Sequence, residues 1–184
     1  MIRFGSGGRI VDAAAEADGR EPRCSRARDV APLEIPDVDG VRRRGAERGD
    51  GARDALLALA AAGVKIGVVS DVGYTPGRVI ARFLDAAGLA ELCEPEAMLF
   101  SDEFGAYKRE PAMFRRALAV LGAAPANAVH VGDLKRSDVA GARAAGLVTV
   151  RFRGCVDDPS AGPEADHVIA DLRELPTVLG LGTG

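Results

Sequence analysis

The sequence is short of cysteine and histidine. Cys24, Cys93 and Cys155 are odd in number, far apart, and without a CxxC pair. That excludes a disulfide framework or a cysteine zinc site and fits a reduced, cytoplasmic setting. The two histidines, His130 and His167, are isolated, and His130 inside the apolar run AVHVG reads as a core histidine. No run approaches the roughly 18 apolar residues that a membrane span needs. The start, MIRFGSGGRIVD, lacks the apolar stretch of a secretory signal. A formal charge of −3 and a pI near 5.5 give no electrostatic footprint for nucleic acid. What is present is 184 residues at 47% hydrophobic content, enough to bury one sizeable core.

The chain divides near residue 50. Residues 1–50 hold ten Arg, no Lys and ten acidic residues, and only nine of the fifty are Leu, Ile, Val or Phe. That is too few for the segment to build its own core. Pro22, Pro32 and Pro36 interrupt any long helix or central strand. An irregular N-terminal segment is expected here, and an ordinary globular unit over residues 51–184.

From residue 51 helix and strand patterns alternate. ARDALLALAAAG predicts a helix with Leu56, Leu57, Leu59 and Ala60 toward a core, ended by Gly63. VKIGVVS predicts a strand buried on both faces. Thr75 and Pro76 predict a helix start, cap then first position, followed by Val79, Ile80, Phe83 and Leu84 at helical spacing. AMLFS is a short strand, Pro111 opens a further helix, and NAVHVGD, LVTVRF and ADHVIA are strands. SDVAGARAAG and the stretch around LRELPTVL predict short helices. Strands separated by helices of 10 to 12 residues imply right-handed crossovers. The expected fold is a three-layer α/β, Rossmann-like arrangement with Val64–Ser70, Ala128–Asp133 and Leu147–Phe152 parallel in one sheet.

In such sheets chemistry gathers at the C-terminal strand ends. The strand ends carry Ser70 and Asp71, Ser101 and Asp102, and Asp133, with Asp138 at the start of the next helix. Two carboxylates five apart across a Gly-led turn suit a hard cation with oxygen ligands, as Mg²⁺ prefers. Taken alone, the same pair also suits a turn residue followed by a helix N-terminal acid. SDEF, from Ser101 to Phe104, reads as loop and helix-cap polarity.

Three stretches in order resemble site motifs of the haloacid dehalogenase-like (HAD) hydrolases. VKIGVVSD resembles the second motif, a strand ending in Ser70. GAYKREPAMF resembles the third, with Lys108, Pro111 and Phe114, although Arg109 stands where the family commonly has Pro. VHVGDLKRSDVAGARAAG resembles the fourth, GDxxxxD followed by a small-residue helix. The resemblance implies a Mg²⁺-dependent phosphohydrolase acting on a small phosphorylated substrate, with no nucleic acid or membrane partner. It implies that Asp133 and Asp138 serve the metal, that Lys108 neutralises phosphoryl charge, and that Ser70 donates to a phosphoryl oxygen.

The family's first motif supplies a nucleophilic Asp at the end of a mid-sheet strand, with an acid–base Asp two residues on. Two stretches compete for it. In IPDVDGV, Asp37, Asp39 and Gly40 reproduce the DxDG pattern, but Pro32 and Pro36 make a poor buried strand before it. In MIRFGSGGRIVD the register puts Gly5 where the nucleophile belongs and Arg9 where Thr belongs. The first assignment makes Asp37 nucleophile and metal ligand and Asp39 the acid–base. The second leaves a catalytically inactive domain that acts as a binding module. The cap domain of the family has little room, with residues 13–50 at most forming a reduced one.

Overall fold

The computed structural model describes residues 2–3, 51–155 and 157–181. Its elements in order are β1 (Ile2–Arg3), α1 (Ala52–Ala61), β2 (Lys65–Ile66), β3 (Val68–Ser70) and α2 (Gly77–Ala86). Then come β4 (Met98–Phe100), α3 (Ser101–Phe104), α4 (Pro111–Leu121) and β5 (Ala128–Gly132). A π-helical turn (Lys135–Val139) leads into α5 (Ala140–Ala144), followed by β6 (Val148–Phe152), β7 (His167–Ile169) and α6 (Leu175–Val178).

The α/β alternation read from the sequence is observed, with β5, β6 and β7 parallel in register. Two apolar clusters form on either side of the strands. Met113, Phe114, Ala117, Leu118 and Leu121 of α4 pack with Ala142 of α5 and Leu147 on one side. Ala55 and Leu59 of α1 and Leu175 of α6 pack on Ile66, Val129, Val150 and Ile169 on the other. The result is helix, sheet, helix.

Several details differ from the sequence reading. First, Val64–Ser70 does not lie in one sheet with the other two strands. It breaks at Gly67, with β2 in the sheet ordered β2-β1-β5-β6-β7 and β3 paired in parallel with β4 alone. Gly67 is where another backbone comes close, since a Cβ there would lie 3.0 Å from the Ala97 carbonyl oxygen. The Ile66 carbonyl accepts the Glu94 N–H at 2.8 Å, as the chain arriving at β4 crosses here. An apolar cavity of about 240 Å³ opens at the break, lined from both sides by Val68, Val69 and Val131 and walled by Leu56, Leu84 and Leu89.

Second, β1 lies between β2 and β5 but runs antiparallel to both, with Ile2 opposite Val129 and Arg3 opposite Ala128. It therefore runs away from the edge where β5 ends. Third, Leu57, expected in the core, is 40% exposed, because α1 turns Ala55 and Leu59 inward. Thr75 and Pro76 are each shifted one place outward. Helix α2 begins at Gly77 with Pro76 as its extended N-cap, and its side-chain cap comes from elsewhere: Asp102 Oδ2 accepts the Gly77 N–H at 3.0 Å.

Candidate active site

The carboxyl edge of β5 is built around one carboxylate. Asp138 is 1% exposed, yet it follows β5 by only a few residues. The wide π-helical turn returns it over the strand it has just left. Gly132 makes room, since a Cβ there would lie 2.3 Å from Asp138 Cγ. Asp138 Oδ2 accepts the Leu134 N–H at 3.1 Å. Oδ1 accepts from Lys108 Nζ at 2.6 Å and from His130 Nε2 at 2.8 Å.

These contacts set the charges. Burial alone would push the Asp138 carboxyl up, but the His130 hydrogen bond and the Lys108 ammonium outweigh it and hold the group well below the usual carboxylate range. Burial pushes His130 down to about 4, against the opposing pull of Asp138. The imidazole is therefore neutral near pH 7. A carboxylate only accepts, so Nε2 carries the hydrogen. Nδ1 is then a bare acceptor, and it has no partner among the described residues. The ring stands edge-on to Phe114, with centroids 4.8 Å apart. His130 is a core histidine, as the sequence suggests, but it also holds Asp138. Its place in AVHVGD, two residues before Gly132 on the same strand face, is the signal that sequence reasoning passed over.

Lys108 is held at three points. Its Nζ meets Asp138, and its N–H donates to Asp71 Oδ1 at 2.7 Å. Its carbonyl lies over Gly141, where a Cβ would stand 1.9 Å from that oxygen. The small residues of the helix after GDxxxxD thus have a definite use, letting the Lys108 loop lie against α5. Asp71 joins the end of β3 to this loop. Ser101 Oγ accepts the Val72 N–H at 3.0 Å, so the SDEF polarity caps and braces the loops.

Asp133 is half-buried at the end of β5. Burial pushes its carboxyl up, and the Asp138 charge adds to the push. An ionised carboxylate disfavoured in this way is one that a cation would stabilise. Among the described residues, however, no cluster of three or more His, Cys, Asp or Glu is arranged to hold an ion. Both Asp138 oxygens are already engaged, and Asp133 is a further carboxylate at this edge with oxygens to offer. A carboxylate oxygen is the kind of donor that a hard cation such as Mg²⁺ takes.

The structure thus brings Lys108 and Asp138 into contact, with Asp133 near enough to feel both charges. Ser70 ends β3 beside Asp71, and among the described residues its Oγ donates only to the neighbouring Asp71 carbonyl, at 3.2 Å. Asp37, Asp39 and Gly5 lie outside the described residues. No described helix is long and apolar enough to cross a membrane.

Comparison with known proteins identifies the family. The chain is 44% identical over 94 residues to phosphoserine phosphatase of Thermus thermophilus, covering 50% of this chain and 36% of that one. It is 33% identical over 132 residues to glyceraldehyde 3-phosphate phosphatase of Pyrococcus furiosus, covering 70% and 53%. The chain thus spans about half or less of the length of these relatives. Among solved structures, a HAD phosphatase from Thermococcus onnurineus superposes with a TM-score of 0.62 at 28% identity, over 80% of this chain and 66% of that one. The family profile of haloacid dehalogenase-like hydrolases matches residues 9–146, and the chain belongs to that family.

Proposed function

We propose that this chain carries the core of a Mg²⁺-dependent phosphohydrolase that cleaves phosphate monoesters of small metabolites in the cytoplasm. The observation that carries the reading is the buried Lys108–Asp138–His130 assembly beside Asp133. A phosphate monoester is dianionic, so a site must neutralise charge before an anionic nucleophile attacks. Lys108 supplies a fixed positive charge, and its braced backbone keeps that charge in place. Asp133 would hold the cation, which when bound adds Lewis-acid stabilisation at phosphoryl oxygen. Ser70 contributes a hydroxyl donor. The relatives named for phosphoserine and glyceraldehyde 3-phosphate support the substrate class.

In this reading Asp37 is the nucleophile that forms the aspartyl-phosphate, and Asp39 is its acid–base partner. A second reading, a catalytically inactive binding domain, has its own observation: β1 takes a mid-sheet place and runs away from the β5 edge. A panel of phosphate esters assayed with and without Mg²⁺ separates the two. The catalytic reading expects Mg²⁺-dependent turnover in the wild type and none in Asp37→Asn, because no other group takes over a covalent intermediate. It also expects millimolar Mg²⁺ to raise the melting temperature of the wild type and not of Asp133→Asn. A wild type inert on the whole panel, with the metal-dependent shift intact, establishes the inactive domain.

A further inference from the structure

Arg151 is a buried cation, 5% exposed, on β6 directly opposite Gly132 in the parallel register. One loop engages its whole guanidinium. Nε donates to Glu164 Oε1 at 2.8 Å and Nη2 to Glu164 Oε2 at 3.1 Å, a bidentate pair. Nη1 donates to Asp157 Oδ1 at 2.6 Å. Between these anchors the loop reaches the other way. Asp158 Oδ2 accepts the Lys135 N–H at 2.8 Å, while its Oδ1 accepts the Ser160 N–H at 2.9 Å. Lys135 Nζ stands 3.7 Å from Glu164, and a Cβ on Gly162 would lie 3.1 Å from Lys135 Cβ. Apart from the Asp158–Ser160 bond within the loop, each of these contacts falls on Lys135 or on Arg151, the strand position beside Gly132. Lys135 is two residues beyond Asp133.

We propose that residues 157–164 are a clamp, anchored on Arg151, that fixes the turn from Asp133 to Lys135 and so positions Asp133 for its cation. Asp158 is the positioning residue, acting through a backbone donor rather than touching substrate or metal. The clamp rests on the reading of Asp133 as a metal donor. Its charged construction argues for a positioning role, because Glu164 and Asp157 are themselves exposed, and an ion pair with an exposed partner adds little stability. What it adds is direction. A bidentate guanidinium fixes both the distance and the plane of Glu164, and the rest of the loop follows. Supporting groups of this kind typically alter metal affinity by about 10- to 100-fold when removed.

The test uses the full chain and two readouts: hydrogen exchange at the Lys135 amide without metal, and the Mg²⁺ concentration giving half the rise in melting temperature. Asp158→Ala is expected to speed exchange at Lys135 and to raise the half-saturating Mg²⁺ concentration at least about tenfold. Asp158→Asn, which keeps a side-chain oxygen to accept the Lys135 N–H, is expected to restore the protection and most of the affinity. Arg151→Met removes the anchor and is expected to match Asp158→Ala in both readouts; should it fail to fold, Arg151→Lys keeps the charge without the bidentate fork and is expected to fall between wild type and Asp158→Ala. Equal Lys135 exchange in wild type and Asp158→Ala overturns the clamp, with or without metal. A wild-type Mg²⁺ response that Asp158→Ala leaves unchanged also overturns it. Absence of any Mg²⁺ response in the wild type instead ends the reading of Asp133 as a metal donor.

Discussion

The two sides of the β5 edge are built differently. On the β6 side, Asp138, His130 and Arg151 are buried, and each charged or polar head meets a partner at hydrogen-bond distance. On the β3 side the strand leaves the main sheet at Gly67, a cavity of about 240 Å³ opens, and among the described residues the Ser70 hydroxyl bonds only its own neighbour. The two sides are joined through Asp71, which accepts the Lys108 N–H. The closed side fixes charge in space. The open side meets it through that loop contact and through Val69, which is buried in one apolar cluster with Phe114 and Ala142. A group held by several buried partners cannot reorient without breaking them, so it is preorganised in the sense that transition-state stabilisation requires.

The sharpest way to break the contrast is to remove the centre of the closed side. Asp138→Ala leaves Lys108 and His130 buried without their acceptor. Truncating one member of a buried, hydrogen-bonded charge pair destabilises by about 3–5 kcal/mol. Chemical denaturation is expected to show a loss of that size, together with loss of any Mg²⁺-dependent phosphatase turnover. A loss under about 1 kcal/mol would mean that water reaches Asp138 freely and that the closed side is no more rigid than the open one.

A gentler pair of substitutions reads packing on the two sides directly. Gly132→Ala puts a methyl where Asp138 Cγ already lies 2.3 Å away, so the carboxylate must move. Overpacking of this kind costs about 1–3 kcal/mol. Val68→Ile adds one methyl beside the cavity and is expected to stay within about 0.5 kcal/mol of wild type or to stabilise slightly. Equal losses from both would show that the open side is as tightly packed as the closed one.

The closed side was also the more legible in sequence. GDxxxxD fixes its own geometry locally: a strand end, a Gly where two groups approach, and an acid returned by one wide turn. Asp133 and Asp138 follow from that pattern, Lys108 from the GAYKREPAMF stretch, and the alternation of α4, β5, α5 and β6 from the spacing of apolar residues. What did not follow were relations between distant segments. Nothing near Arg151 signals that Asp157 and Glu164 will enclose it, since a single Arg in LVTVRF breaks an apolar run without naming a partner. The split at Gly67 depends on Ala97, thirty residues later. His130 looked like core because an isolated apolar-flanked His usually is, and the core and the site coincide here. Asp37 and Asp39 lie outside the described residues, and the nucleophile is decided by the assay rather than by the fold.

The smallest expected effect concerns how the open side starts its helix, and it separates a local signal from a long-range one. Thr75 before Pro76 has the composition of a cap, because a Thr side chain at that position commonly accepts a first-turn N–H. In the structure the N-cap is Pro76, no local side chain caps α2, and the Gly77 N–H goes to Asp102 of α3. The favourable interaction of a negative charge with the helix N-terminus then also belongs to Asp102. Thr75→Ala is therefore expected to change stability by less than about 0.5 kcal/mol, as for an ordinary surface position. Asp102→Ala removes the acceptor and the charge and is expected to cost about 1 kcal/mol, the middle of the range for a lost cap. Asp102 also bridges α3 to α2, so its loss should loosen the loop that carries Ser70 and Asp71. Melting curves of the two variants decide the matter: a larger loss in Thr75→Ala would restore the local cap and remove Asp102 from the bracing of the open side.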